Sequence, residues 1–92
     1  MATLLMDVDT VQAAQAKMLQ NKETMLSELT ALTSQINQTV GTAWQGNSAT
    51  EFQQQYDALR NQITQQLDAL EQLAQALQNE ITQWNETASR MG

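Results

Sequence analysis

The sequence predicts an all-α fold: an antiparallel helical hairpin that dimerises into a four-helix bundle. Three observations lead to this prediction. Apolar residues recur in steps of three and four along most of the 92 residues, which is the repeat of an amphipathic helix. Proline is absent, as suits long uninterrupted helices, because an interior proline costs about 3 kcal/mol. Gly41 and Gly46 interrupt the apolar pattern near the middle of the chain, where they indicate a reversal.

The first helix is predicted over about residues 8–40. Asp7 or Asp9 is its candidate N-cap, because a carboxylate there accepts hydrogen bonds from free amides and lies at the positive end of the helix dipole. Residues 1–6 are expected to form a loose apolar arm that precedes the cap.

The apolar stripe of this helix is uneven along its length. It is weak where Gln15 and Lys22 fall on it and strong from Met25 onward. Packing is therefore expected to tighten toward the reversal and to loosen toward the N-terminus.

The reversal is predicted over residues 41–47, and the second helix over about 48–90. Ser48 opens a Ser-Ala-Thr-Glu sequence, the capping-box pattern in which Ser48 and Glu51 satisfy each other's free amides. Trp44 places a large ring in an otherwise small and polar turn, so it must lie against something. Two interpretations remain open: it packs over the end of its own hairpin, or a helix of a partner also contacts it.

The second helix has the more regular apolar face. Gln66 and Glu80 fall where a strict heptad would place apolar residues, and Leu67 and Ile81 beside them take over. This drift indicates a period nearer 3.6 than 3.5 residues, which favours a weakly supercoiled bundle.

Two long helices joined by a short turn are expected to pack as antiparallel neighbours in a single domain, residues 1–92. A hairpin forms only one internal contact surface, so wide apolar stripes leave a second face uncovered. A second copy related by a two-fold axis is the simplest way to cover it. The predicted core and dimer stripe consists of Met25, Leu29, Leu32, Ile36, Leu59, Ile63, Leu70 and Leu77.

The composition excludes several classes of function. The net charge is −6, and the only cations are Lys17, Lys22, Arg60 and Arg90; binding to nucleic acid or to anionic membrane is not expected, because both depend on cationic groups. The N-terminus lacks the basic region and long apolar run of a signal peptide or membrane span. The chain is therefore expected to stay in the cytoplasm or to leave by a route that reads no N-terminal leader.

The remaining chemistry does not favour an enzyme. Cysteine and histidine are absent, which removes thiol chemistry, histidine-based acid/base catalysis and the Glu-x-x-His ligands of a di-iron bundle. The carboxylate pairs Asp68 with Glu71 and Asp57 with Glu80 are interpreted as solvated charges on acidic helices. No catalytic, cofactor-binding or metal-binding residue is predicted.

The tripeptide Trp44-Gln45-Gly46, between two amphipathic helices in a chain of about one hundred residues, resembles the WXG-100 (ESAT-6-like) family of bacterial proteins exported by type VII secretion. The resemblance covers essentially the whole chain. It implies an antiparallel dimer, either a homodimer or a heterodimer with a paralogue, that is exported folded by an FtsK/SpoIIIE-type ATPase. In this resemblance, Trp44 and Gly46 carry the turn and secretion motif.

The family also has a Tyr-x-x-x-Asp/Glu signal near the C-terminus, and here the match is partial. Tyr56 is followed four residues later by Arg60, and Trp84 by Ala88, whereas Glu86 lies at another spacing. Three interpretations stay open: Trp84 with Glu86 forms a variant signal, the signal belongs to a partner chain, or this protein is not itself exported.

The leading hypothesis is thus a small non-enzymatic interaction protein, a substrate or co-substrate of type VII secretion recognised as a dimer. It would be cytoplasmic before export and then secreted without a cleavable signal peptide, with no cofactor. The alternatives are a self-assembling hairpin such as a secretion needle subunit, or a cytosolic chaperone or inhibitor of a toxin with a helical domain.

Overall fold

Two long helices account for nearly all of the computed structural model, which describes residues 5–91, with side chains to Ser89. Helix α1 is Val8–Thr39 and helix α2 is Asn47–Met91. They pack antiparallel as a rod of 69 × 20 × 19 Å. The predicted all-α hairpin is confirmed, whereas its pairing into a four-helix bundle stays a prediction.

The start of α1 is set by Asp7. Its backbone is extended, and its carboxylate accepts a hydrogen bond from the Thr10 amide at 3.3 Å. The structure therefore selects Asp7 over Asp9, which lies inside the first turn. Of the expected N-terminal arm, residues 1–4 lie outside the described part of the chain, and Leu5 and Met6 precede the cap.

Two glycines and a set of backbone hydrogen bonds fix the turn. Gly41 and Gly46 have φ of +94° and +112°, a region that side-chain-bearing residues rarely adopt. The Trp44 amide donates to the Thr39 carbonyl at 3.0 Å, and the Gly41 amide donates to the Trp44 carbonyl at 2.8 Å. The turn is therefore specified by backbone conformation, and Trp44 is held at a defined place within it.

The start of α2 differs from the capping-box prediction. The helix begins at Asn47, and the Gly46 carbonyl accepts the first helical hydrogen bond, from the Thr50 amide at 3.1 Å. Among the hydrogen bonds of the described residues, none joins Ser48 to Glu51. The prediction was wrong because Ser48 already lies within the helix, whereas an N-cap side chain needs an extended backbone to reach the third amide.

The contact surface between the helices, here called the seam, is supplied mainly by α2. Its buried side chains repeat every seven residues in two adjoining rows; they are Ala49, Tyr56, Leu67, Ala74 and Ile81. In α1, only Lys22 is buried to the same degree.

The expected gradient of packing is not observed. Ala74 and Ile81 are 0% and 2% exposed, and both lie in the half of the hairpin away from the turn. The expectation failed because it was drawn from α1 alone, whereas the tight packing in that half comes from α2.

Candidate interaction surface

Six large apolar side chains remain 39 to 60% exposed on the two helices and the turn. We call this set the apolar face, and it consists of Met25, Leu32, Trp44, Phe52, Leu59 and Leu73. Leu5 is the only other large apolar side chain of comparable exposure in the described residues.

The members of the apolar face lie on one side of the hairpin. Leu32 from α1 and Phe52 from α2 line the same groove. Met25 precedes Leu32 by seven residues and Leu59 follows Phe52 by seven, so each lies two helical turns further along the same side. Leu73 lies four turns beyond Leu59 on that row. The face therefore extends from the turn well past the middle of the rod.

At the turn end, the apolar face is built around two aromatic rings. The ring centroids of Trp44 and Phe52 lie 5.4 Å apart with a tilt of 48°, an arrangement that aromatic pairs favour. Ile36 and Val40 complete the groove beside them. Trp44 thus packs against its own hairpin, yet 39% of it remains exposed, which leaves surface for a partner.

The predicted core and dimer stripe lies at the border between the seam and the apolar face. Met25, Leu32 and Leu59 are exposed, and the other five members are half-buried: Leu29, Ile36, Ile63, Leu70 and Leu77. The sequence analysis did not assign Lys22 to the hairpin core. A signal was present, since Lys22 lies on the same seven-residue row as Leu29 and Ile36.

The opposite side of the hairpin is more polar. A second groove between the helices is lined there by Thr30, Asn37, Arg60 and Thr64, and also by the half-buried Leu26 and Leu29. We call this side the polar side. Its charged groups include an ion pair within α2, in which Arg60 lies 3.7 Å from Asp57.

Four polar contacts between the helices accompany the seam. The Tyr56 hydroxyl lies 2.6 Å from the Thr33 hydroxyl, and the Gln53 amide donates to the Asn37 side chain at 3.2 Å. Further from the turn, Lys22 Nζ lies 3.6 Å from a Glu71 oxygen. The last contact joins the side-chain amide of Gln15 to the Ala74 carbonyl at 3.5 Å. Gln15 and Lys22, which interrupt the apolar stripe of α1, therefore each make a specific contact with α2.

Near the end of α2, Trp84 is half-buried and Glu86 is exposed. Two residues apart on a helix, they project about 200° from each other, on nearly opposite sides. Glu80 lies four residues before Trp84, and both line one shallow depression together with Met6, Gln83 and Thr87. The structure thus brings Glu80, not Glu86, to the side of Trp84.

The described helices include no segment long and apolar enough to cross a membrane. Over the same residues, no three Asp or Glu side chains converge as a metal site.

A two-helix hairpin with a half-exposed tryptophan in a glycine-framed turn, and with one apolar face, defines a small all-helical hairpin protein. Residues 3–87 match the model of the family described as proteins of 100 residues with WXG. The chain belongs to this WXG100 family, as its Trp44-Gln45-Gly46 motif indicates. Comparison with curated proteins and with solved structures yields no match.

Proposed function

We propose that this protein is a non-enzymatic substrate or co-substrate of a bacterial type VII secretion system, and that it is recognised as a dimer formed through the apolar face. Membership of the WXG100 family supports the secretion role. The main support for the dimer is that large apolar side chains are exposed on one side of the rod. Its partners are a second copy or a paralogue, and the ATPase of the secretion machine.

The shape of the single chain supports a partner. Its accessible surface is 7056 Å², whereas a compact monomer of 10.3 kDa exposes about 5,400 Å². Its radius of gyration is 20.7 Å, against about 12 Å for a compact domain of this length. The excess of roughly 1,700 Å² is of the order that one protomer buries in an obligate dimer.

A two-fold axis near the middle of the rod brings opposite ends of two copies together. The Trp44 groove of each protomer then faces the other protomer's surface around Trp84. The interface is therefore closed and self-complementary, unlike the open contact of a polymerising needle subunit.

Cysteine cross-linking tests this arrangement directly, because the chain contains no cysteine. Ala43→Cys lies in the turn, and Thr87→Cys lies one turn past Trp84 on the side of the apolar face. Mixing the two single variants under oxidising conditions is expected to give an Ala43→Cys to Thr87→Cys disulfide between chains. Ala31→Cys, which lies near the groove of Thr30 on the other side, is the control and is expected to remain unlinked with either variant.

Other outcomes would contradict parts of the proposal. Cross-links between two Ala43→Cys chains would indicate a turn-to-turn pair. A wild-type chain that sediments as a folded monomer at micromolar concentration would contradict the dimer altogether. Concentration-dependent filaments would favour a self-assembling structural protein.

Export tests the recognition elements. Trp84→Ala and Glu80→Gln are each expected to reduce the protein in the culture supernatant, while the cellular level is kept. Glu86→Gln is the matched control, since it removes the same charge from the opposite side of α2. If Glu86→Gln abolishes export and Glu80→Gln does not, the Trp84 and Glu86 signal is the correct interpretation. If none of the three changes matters, the signal lies on a partner chain.

Trp44→Ala separates recognition from folding. Because Trp44 is 39% exposed and its ring lies beside Phe52 in an open groove, we expect export to fall while circular dichroism still shows a folded helical protein. A parallel loss of helix content and export would instead indicate a structural role, for which losing a buried tryptophan costs about 3–5 kcal/mol.

A further inference from the structure

Lys22 occupies an unusual place for a charged residue. It is the most buried residue of α1, with only 11% of its side chain exposed, and it lies in the seam about midway along the rod. A lysine in such a place extends its apolar stem along the seam and brings its ammonium group to the nearest water or carboxylate. The side on which the ammonium group emerges therefore determines whether the apolar face or the polar side carries a positive charge.

By position alone, Lys22 can present its charge to either side of the hairpin. Its seven-residue row carries both Leu29, which lines the polar groove, and Ile36, which lines the apolar groove beside Leu32. Met25 follows Lys22 by three residues, one helical turn along the same side. An ammonium group that emerged there would place a positive charge in the middle of an otherwise apolar surface.

The ammonium instead lies on the polar side. Its Nζ is 3.6 Å from Glu71 and 3.7 Å from Glu23. Glu71 follows Thr64 by seven residues and Glu23 precedes Thr30 by seven, and both threonines line the polar groove. The stem of Lys22 therefore extends from the seam to carboxylates on the polar side.

We infer that Glu71, assisted by Glu23, is a positioning residue that draws the charge of Lys22 to the polar side and so keeps the apolar face continuous for a second copy of this chain. The inference rests on the proposed dimer for its functional meaning. Opposite charges at this distance attract across a partly buried gap, whereas a charge left unpaired in an apolar interface is strongly unfavourable. Glu71 thus acts on the docking surface without being part of it.

The test compares three variants by sedimentation velocity. Glu71→Gln keeps the size of the side chain and removes the carboxylate on the other helix, so that only the exposed Glu23 still holds Lys22. The dimer dissociation constant is expected to rise about tenfold or more, because the ammonium group can then reach the apolar interface. Adding Lys22→Met to Glu71→Gln removes the released charge and is expected to restore tight dimers. Asp57→Asn is the matched control, since it breaks the Arg60 ion pair on the same side and is expected to leave the dimer unchanged.

A second measurement follows the position of the Lys22 ammonium group directly and does not depend on dimerisation. The chain has two lysines, Lys17 and Lys22, so the acetylation rate of Lys22 can be compared with that of exposed Lys17 in one sample by mass spectrometry. Glu71→Gln is expected to raise the relative rate of Lys22 several-fold, since an ammonium in a salt bridge reacts slowly.

The outcomes separate the two proposals. Unchanged dimer affinity in Glu71→Gln, or a double variant that stays as weak as the single one, overturns the positioning role. If the wild-type chain is monomeric at every concentration, the proposed dimer is wrong. The acetylation rate of Lys22 alone then tests whether Glu71 positions its charge. If Glu71→Gln lowers the helix content, the same comparison is made with Glu23→Gln, which removes the more exposed of the two carboxylates near Lys22.

Discussion

The two helices contribute to the hairpin in different ways. In α2, five side chains are buried and repeat on two adjoining rows, so its contact side follows from its own pattern. In α1, the row of Met25 and Leu32 is the more apolar one, yet these two residues are left exposed, and Lys22 and Thr33 lie at the seam.

This difference shows what an apolar pattern specifies. Where one pair of rows is clearly the most apolar, as in the half of α2 around Leu67, the pattern selects the buried side. Where three adjacent rows all carry large apolar residues, as in α1, contacts to the other helix decide which rows are buried, and these contacts involve polar groups. α2 therefore supplies the buried part of the seam, while Met25 and Leu32 of α1 join Phe52, Leu59 and Leu73 of α2 on the apolar face.

The largest expected effect sharpens this comparison within α2. Leu67→Ala removes a side chain that is 5% exposed in the seam, and truncating a buried leucine costs about 2–5 kcal/mol through lost burial and the cavity left behind. We expect the free energy of unfolding to fall by this amount in urea denaturation at fixed protein concentration.

Leu59→Ala is the matched control for Leu67→Ala. Leu59 is 51% exposed on the apolar face of the same helix, so its loss is expected to weaken the dimer more than the fold of the hairpin. Equal losses of hairpin stability in the two variants would show that the seam and the apolar face are wrongly assigned.

A smaller effect is expected at the start of α2. Gly46→Ala forces a side chain into φ near +112°, a strained conformation that costs about 1–3 kcal/mol; nothing lies near the added methyl group, so the cost is conformational. The melting temperature is expected to fall accordingly. Ser48→Ala is expected to change it little, and a larger effect of Ser48→Ala than of Gly46→Ala would restore the capping box.

The smallest effect is expected at the start of α1, where a side chain provides the cap. Asp7→Ala removes the acceptor for the Thr10 amide and is expected to lower the free energy of unfolding by about 1 kcal/mol. Asp7→Asn keeps an acceptor and is expected to recover most of the loss. Amide hydrogen exchange in the first turn of α1 measures the effect locally, and no change there would contradict the cap.

Much of the fold could be predicted from the sequence because the deciding signals are local. Gly41 and Gly46 mark the turn, and Asp7 provides the cap within three residues of the amide that it accepts from. The prediction at Ser48 was wrong although the capping-box sequence is present. The helix begins at Asn47, directly after Gly46 with its positive φ.

The rotation of α1 could not be predicted because its determinants are distant in sequence. Thr33 and Tyr56 are 23 residues apart, and Gln15 and Ala74 are 59 apart. Gln15 and Lys22 look like gaps in a stripe until their partners on α2 are known. For the candidate interaction surface, the predicted stripe includes the exposed Met25, Leu32 and Leu59 but omits Phe52 and Leu73, which the structure also leaves exposed.

The narrow cross-section of the rod has a consequence for its movement. A single hairpin presents extents of 20 by 19 Å across its long axis. Two hairpins pressed face to face need roughly twice that in one direction. A channel only as wide as one hairpin would admit one copy at a time. The two copies would then have to dissociate before entry, and their rate of dissociation would limit transport.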